Sequence, residues 1–242
     1  MRTTIAVLLV ICFCRCSFQN TESSVTEDID FSESMSSIMT DFEFFYPPTP
    51  IPEGFALDTF IQFDPSKNLD IFIFMPVSDM EEVNNVVKAG IESQKNEFIE
   101  NYLGEENDFR NYFYAVPISI YKDEKIISLL FVISYYSAGA AHPMTVYHSF
   151  NFDAKTKQQI DFNDYFLVKS KADTTFFTEI ITRAINQEGV FLHELYNLSF
   201  NIEKDTISFD FSTYEIASYV DGLIQGRIHK KELYDKIKTK YQ

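Results

Sequence analysis

The chain has 242 residues and a mass of 28.2 kDa, with 36 Asp and Glu against 20 Lys and Arg and a formal net charge of −16. That excess of acid excludes nucleic-acid binding, which needs a basic face to displace counterions from phosphates. A hydrophobic content of 45% with 25 Phe and 14 Tyr excludes a wholly disordered chain, and 7 Gly excludes collagen-like repeats.

Arg2 opens the chain with a positive charge, and Thr3–Cys14 is an apolar run. The run falls short of the ~20 residues a spanning helix needs and has the length of a secretory core. Residues 1–16 are therefore read as an export signal. Cys12, Cys14 and Cys16 are the only cysteines. Cys16, followed by Ser17 and a polar tail, is the position suited to lipid anchoring, although Arg15 stands where a small residue is usual. No cysteine follows it, so a disulfide, a thiolate nucleophile and a Cys-based metal site are not expected. Export without disulfides points to a bacterial envelope, in the periplasm, on the surface or secreted. The signal holds two arginines and no acid, so the exported part is more acidic still, a field that favours cationic partners.

Residues 17–54 read as an acidic tether that ends in a Pro-rich entry at Pro47, Pro48 and Pro50. The apolar, β-rich residues 69–77 predict a buried strand. Asp79, with Glu82 three residues on, predicts a helix start. Val83, Val86, Val87, Ile91, Phe98 and Tyr102 share its inner face, and Gly104 closes it. Tyr112–Tyr121 and Lys125–Tyr136 read as a hairpin around Asp123-Glu124, and Met144–Asp153 as a further strand. Asp173 is the expected cap of a second helix, with Phe176, Phe177, Ile180, Ile181, Ala184 and Ile185 inward and Gly189 at its end. Leu198–Ile202 and Thr206–Phe211 form a hairpin around Lys204-Asp205. Leu223–Ile228 is the last strand, and residues 230–240 a short basic helix. This order predicts an α+β fold, an antiparallel-rich mixed sheet with two main helices packed on it and a short C-terminal helix. Two halves, 55–122 and 123–242, are expected to form one unit.

His142 lies in the small-residue stretch Tyr135–Pro143 between two predicted strands. A loop histidine acts as a general base when a carboxylate orients it, and Asp153, Asp161, Asp164 and Glu215 are available. The structural alternative, favoured here, is that His142 bonds loop carbonyls and fixes the strand crossing. His193-Glu194 opens like a zinc-protease helix, but Asn197 stands where the second His belongs, and His148 and His229 complete no ligand pattern. No metal or cofactor is expected. No strained Gly-x-Ser-x-Gly turn and no Gly-rich phosphate loop occurs. Asn197-Leu198-Ser199 is a glycosylation sequon, meaningful only in a eukaryotic secretory route. Tyr135, Tyr136, Tyr147, Tyr214 and Tyr219 flank loops, where a tyrosine offers large contact area with few rotamers to freeze.

Three stretches resemble one family. Tyr135–Pro143 is similar to a Tyr-rich strand followed by Gly-Gly-Ala-His. Phe150–Phe166 is similar to a strand, turn and Asp-Leu-Phe segment, and Tyr214–Gly222 (YEIASYVDG) resembles YEIAPYAAG. Together they resemble the RsiV-like family, a DUF3298 domain with an N-terminal DUF4163 partner, which residues 69–116 resemble. Ala140, Lys157 and Ser218 stand where the family often has Gly, Gly and Pro. The family includes a membrane-anchored anti-sigma factor whose outer domain binds lysozyme, but neither a transmembrane helix nor an anti-sigma segment is expected from this sequence. The resemblance implies an extracytoplasmic binding domain for a cationic protein such as lysozyme, or for a cell-wall ligand. The expected contact site is Tyr135, Tyr136, Gly139, His142, Pro143, Tyr214 and Tyr219, with the membrane reached only through Cys16. The competing expectations are a peptidoglycan- or glycan-directed hydrolase built on His142 and a passive structural lipoprotein.

Overall fold

A computed structural model describes residues 50–101, 110–186 and 198–242. In it β1 (Phe55–Asp64), β2 (Leu69–Ser78), β3 (Asn111–Lys122), β4 (Ile126–Tyr136) and β5 (Met144–Asp153) form a five-stranded sheet in sequence order. Neighbours are antiparallel except β2 and β3, which run parallel because α1 (Glu81–Asn101) is the crossover between them. Val83, Val87, Ile91 and Phe98 of α1 cover Ile71, Ile73, Phe113, Leu129, Phe131 and Phe150. Burying each such side chain stabilises by about 1.5–3 kcal/mol.

The second sheet is antiparallel throughout: β6 (Phe200–Ile202), β7 (Thr206–Phe211) and β8 (Ile224–His229). The one-turn α2 (Phe162–Tyr165), α3 (Lys171–Ile185) and α4 (Lys230–Leu233) close over it. Phe162, Phe166, Phe177, Phe200 and Phe209 make this an aromatic core, with edge-on pairs such as Phe162–Phe177 at 5.1 Å. The architecture is α+β as the periodicity predicts, with the strands divided between two sheets.

A polar junction joins the sheets. Ser128 Oγ on β4 lies 2.6 Å from Asn151 Oδ1 and 2.9 Å from Asn201 Oδ1, and accepts the Ile202 N–H at 2.8 Å. Asn151 donates to the Phe200 carbonyl, and Asn201 to Ser119. Ser119 follows the register shift at Pro117, so the irregularity that accommodates a proline in a central strand also sits beside the polar contact. All three of Ser128, Asn151 and Asn201 are buried, and each has a partner, which keeps the desolvation cost from standing alone.

Several boundaries differ from the sequence expectation. Residues 55–64, for which no strand is expected from the sequence, form β1, because their backbone pairs with β2 along its whole length. The cap of α3 is Ser170, and Asp173 is its third residue, where its carboxylate accepts from the Ser170 N–H and from Lys236. Residues 230–240 do not stay helical. After α4 they pass through the 3-10 turns Tyr234–Lys236 and Thr239–Tyr241, since Ile237 extends to pair with Phe166. Leu233, Ile237 and Tyr241 are nonetheless all buried, which explains the helical spacing in the sequence. The expected export signal with its three cysteines, most of the expected tether, Tyr102, Gly104, Gly189, His193-Glu194 and Asn197 lie outside the described residues. Among the described residues no helix is long and apolar enough to cross a membrane.

Candidate functional site

The connection between β4 and β5 is a tight turn. Ala140 N–H bonds the Ser137 carbonyl at 2.9 Å, and Gly139 holds φ at +90°, a region other residues enter only with strain. Buried Asn111 anchors the turn by accepting the Ala138 N–H at 2.7 Å while donating to the Lys67 carbonyl. Tyr136 donates its hydroxyl to the Ala140 carbonyl at 3.2 Å.

The β7–β8 connection comes to the same place because β5 holds it there. Ser212 Oγ accepts the Tyr147 N–H at 3.1 Å, and the Thr213 N–H bonds the Thr145 carbonyl at 3.2 Å. These bonds occupy the outer edge of β5 at Thr145 and Tyr147 and set Tyr214 and Tyr219 beside His142. The His142 and Tyr219 rings stack with centroids 3.5 Å apart, and His142 Nε2 lies 3.1 Å from Tyr214 Oη. The other ring nitrogen, Nδ1, lies 3.1 Å from the Pro143 carbonyl, which only accepts. In the neutral ring the proton then sits on Nδ1, with Nε2 accepting from Tyr214.

Both imidazole nitrogens are thus occupied, by a carbonyl and a phenol, and the carboxylates proposed for its orientation have other work. Asp153 accepts from Lys155 and Thr156, Asp161 and Asp164 cap α2, and Glu215 accepts the Ser212 N–H. Among the described residues no His, Cys, Asp and Glu cluster is arranged to hold a metal.

The structure brings together Tyr136, Gly139, His142, Pro143, Tyr214 and Tyr219, and sends Tyr135 elsewhere. Adjacent strand residues point to opposite faces, so Tyr135 packs on Phe98 beneath α1 while Tyr136 stacks on Tyr112 at 5.9 Å. Tyr112 is the member that loop-centred reasoning missed. It stacks on Tyr114 at 4.5 Å, and burial pushes its phenol up against the opposing bond from Ser134. Its signal was the spacing of Tyr112 and Tyr114, two apart and so on one face of a strand. Tyr114 meets Phe72 edge-on at 5.0 Å, carrying the aromatic band across to β2. At that end buried Asp70 sits 3.4 Å from Arg110, its carboxyl held up by burial with the guanidinium opposing.

The outermost part of this rim is apolar and strained. Tyr214 is 53% exposed with φ at 69°, and Val220 is 93% exposed. Ser218, where the resemblance calls for Pro, instead binds the Asp221 carboxylate with its hydroxyl at 2.6 Å and holds the turn carrying Tyr219. Next to the rim, a pocket of about 460 Å³ between Tyr147–Asn151 and Gln159–Asp164 contains none of these side chains except that of Tyr147.

The arrangement of strands, helices and connections has known counterparts. The chain shares its fold with a DUF3298 family protein. That protein, from Pseudomonas aeruginosa PAO1, aligns with a TM-score of 0.57 at 11% identity, over 79% of this chain and 96% of its own. A DUF3298 family member from Bacteroides fragilis aligns at 0.49 with 16% identity, over 77% and 93%. No family model and no curated protein matches the sequence itself. The likeness to the DUF3298 fold is therefore one of architecture.

Proposed function

We propose that the chain is an exported, extracytoplasmic binding domain of the RsiV-like type, and that it recognises a cationic protein, lysozyme being the first ligand to test. The observation that carries this reading is the rim of His142, Tyr214, Tyr219 and Tyr136, with Val220 at its tip. A tyrosine held in the left-handed region is strained and a valine 93% exposed buries almost nothing, and such features gather where a surface is kept for contact. Tyrosine is also the residue that gives interfaces most area for least lost entropy.

Two further points support the reading. The net charge of −16 would speed encounter with a basic protein. The DUF3298 fold is the one on which the resemblance places an extracytoplasmic ligand-binding role, with residues 55–122 as its DUF4163-like half. Export through residues 1–16, and anchoring at Cys16, belong to the same proposal. Calorimetric titration with a cationic c-type lysozyme, with muramidase activity followed in the same mixture, tests it. One-to-one binding with loss of activity is expected, and added salt should slow association more than it speeds dissociation. Absence of binding removes lysozyme and turns the titration to peptidoglycan fragments.

A further inference from the structure

The two edges of the five-stranded sheet are treated differently. The outer edge of β5 is bonded by Ser212 and Thr213 at one end and by Gln158–Ile160 at the other. Among the described residues, the outer edge of β1 carries no strand. Edge strands in soluble proteins are usually shortened, bulged or studded with Lys and Pro to prevent pairing. β1 is neither short nor bulged and carries no Lys or Pro, and its charges are Asp58 and Asp64 alone. It is ten residues long, FALDTFIQFD, pairs with β2 without a register shift, and exposes Leu57 at 39%, Phe60 at 46% and Ile61 at 38%.

We infer that β1 is a self-association edge, through which two copies of this chain pair antiparallel about a two-fold axis and continue the sheet from one copy into the other. The backbone says which groups take part. Thr59 gives its N–H to the Asp58 carboxylate at 2.9 Å, so that N–H points away from β2. By strand alternation the N–H and C=O groups of Leu57, Ile61 and Phe63 point outward too. One register suits these groups and the side chains together, that with Phe60 opposite its own copy. Leu57 then faces Phe63 and Thr59 faces Ile61, while Asp58 meets the neutral Gln62 and Asp64 meets Ala56. No two like charges oppose. Pairing requires Asp58 to release the Thr59 N–H.

The flank of the edge is self-complementary in charge. A pocket of about 320 Å³ between β1 and α1 has an apolar floor that includes Phe60 and Met75, and a rim of Lys88, Lys95, Asp58 and Glu92. Lys95 also lies over the Phe60 ring at 5.9 Å. A two-fold axis through Phe60 presents both signs of charge to both signs. A ten-residue strand is about 33 Å long. With sheet and helix layers beside it, the contact is on the order of 700 Å² per copy, near the low end of specific interfaces. The net charge of −16 opposes association, so the dimer is one of moderate affinity that salt strengthens.

Sedimentation of the full chain from low to high micromolar concentration, at low and high salt, with hydrogen exchange at each concentration, tests the inference. A monomer–dimer equilibrium favoured by salt is expected, with new protection at the amides of Leu57, Thr59, Ile61 and Phe63 and none at β2. Thr59→Pro removes an outward N–H and no bond to β2, and Ile61→Lys puts a charge on the edge. Each should weaken the dimer by at least about tenfold. A chain that stays monomeric throughout overturns the inference, as does a dimer whose β1 amides gain no protection. If either variant fails to fold, the exchange pattern of the unaltered chain decides.

Discussion

His142 and Tyr219 stack with planes 20° from parallel, although one belongs to the β4–β5 turn and the other to the β7–β8 connection. The stack joins the two loops that the β5 bonds bring together, and Tyr214 flanks it, its ring tilted and 5.8 Å from that of Tyr219.

Removing the stack separates recognition from stability. Tyr219→Ala is expected to cost about 1 kcal/mol of stability, the size of an aromatic pair, and to weaken ligand binding at least about tenfold. Tyr135→Ala, which empties a site against Phe98 on the opposite face, should cost about 2–4 kcal/mol and leave the affinity unchanged. Urea unfolding and calorimetric titration of both variants read the difference.

The polar junction gives a second test. Asn201→Ala leaves Ser128 and Ser119 short of a partner in a buried setting, and is expected to destabilise by about 2–3 kcal/mol in urea unfolding.

Asp210 sets a pH dependence. It is wholly buried on β7, and burial pushes its carboxyl up to about 7, against the donors Gln225 and Ser208 and the Arg227 charge, with Glu203 adding to the rise. The folded chain then keeps a proton that the unfolded chain, titrating near the ordinary aspartate value of 3.8, has already released. Stability therefore falls as pH rises from about 4 to about 7. Asp210→Asn should melt with the unaltered chain near pH 4 and above it past pH 7. A constant difference between the two across that range would refute the buried-proton account.

Gly90 is needed for close packing. Alanine in its place gains up to about 1 kcal/mol of helix propensity. Its Cβ would sit 2.6 Å from the Phe150 ring, which is buried and meets Phe131 edge-on. Overpacking of about 1–3 kcal/mol should win, and thermal melting of Gly90→Ala is expected below that of the unaltered chain.

The sequence shows what repeats and hides what depends on distant partners. The helix faces of α1 and α3 and the pairing of β3 with β4 follow from local apolar spacing. β1 escapes because its exposed alternation resembles a linker until β2 is laid beside it. The break after Leu233 escapes because Leu233, Ile237 and Tyr241 keep helical spacing while Phe166, far away in the chain, draws Ile237 into a bridge. At the rim, His142 stands out between small residues, and the resemblance singles out Tyr214–Gly222. Their meeting rests on Ser212 and Thr213, two ordinary residues whose part is played through backbone bonds. Tyr135 and Tyr136 are indistinguishable until strand phase assigns them to opposite faces.

One strand acts as the ruler for the whole rim. His142 leaves the rim directly into β5, and Tyr214 hangs from that strand through Thr145 and Tyr147. A change in β5 that shifts it along β4 would carry both halves of the rim together and keep their mutual alignment. The same shift by one residue would turn Phe150 and Phe152 out of the core, so its cost is met by the interior. The rim can therefore vary in chemistry, residue by residue, while its spacing is inherited from packing beneath the helix.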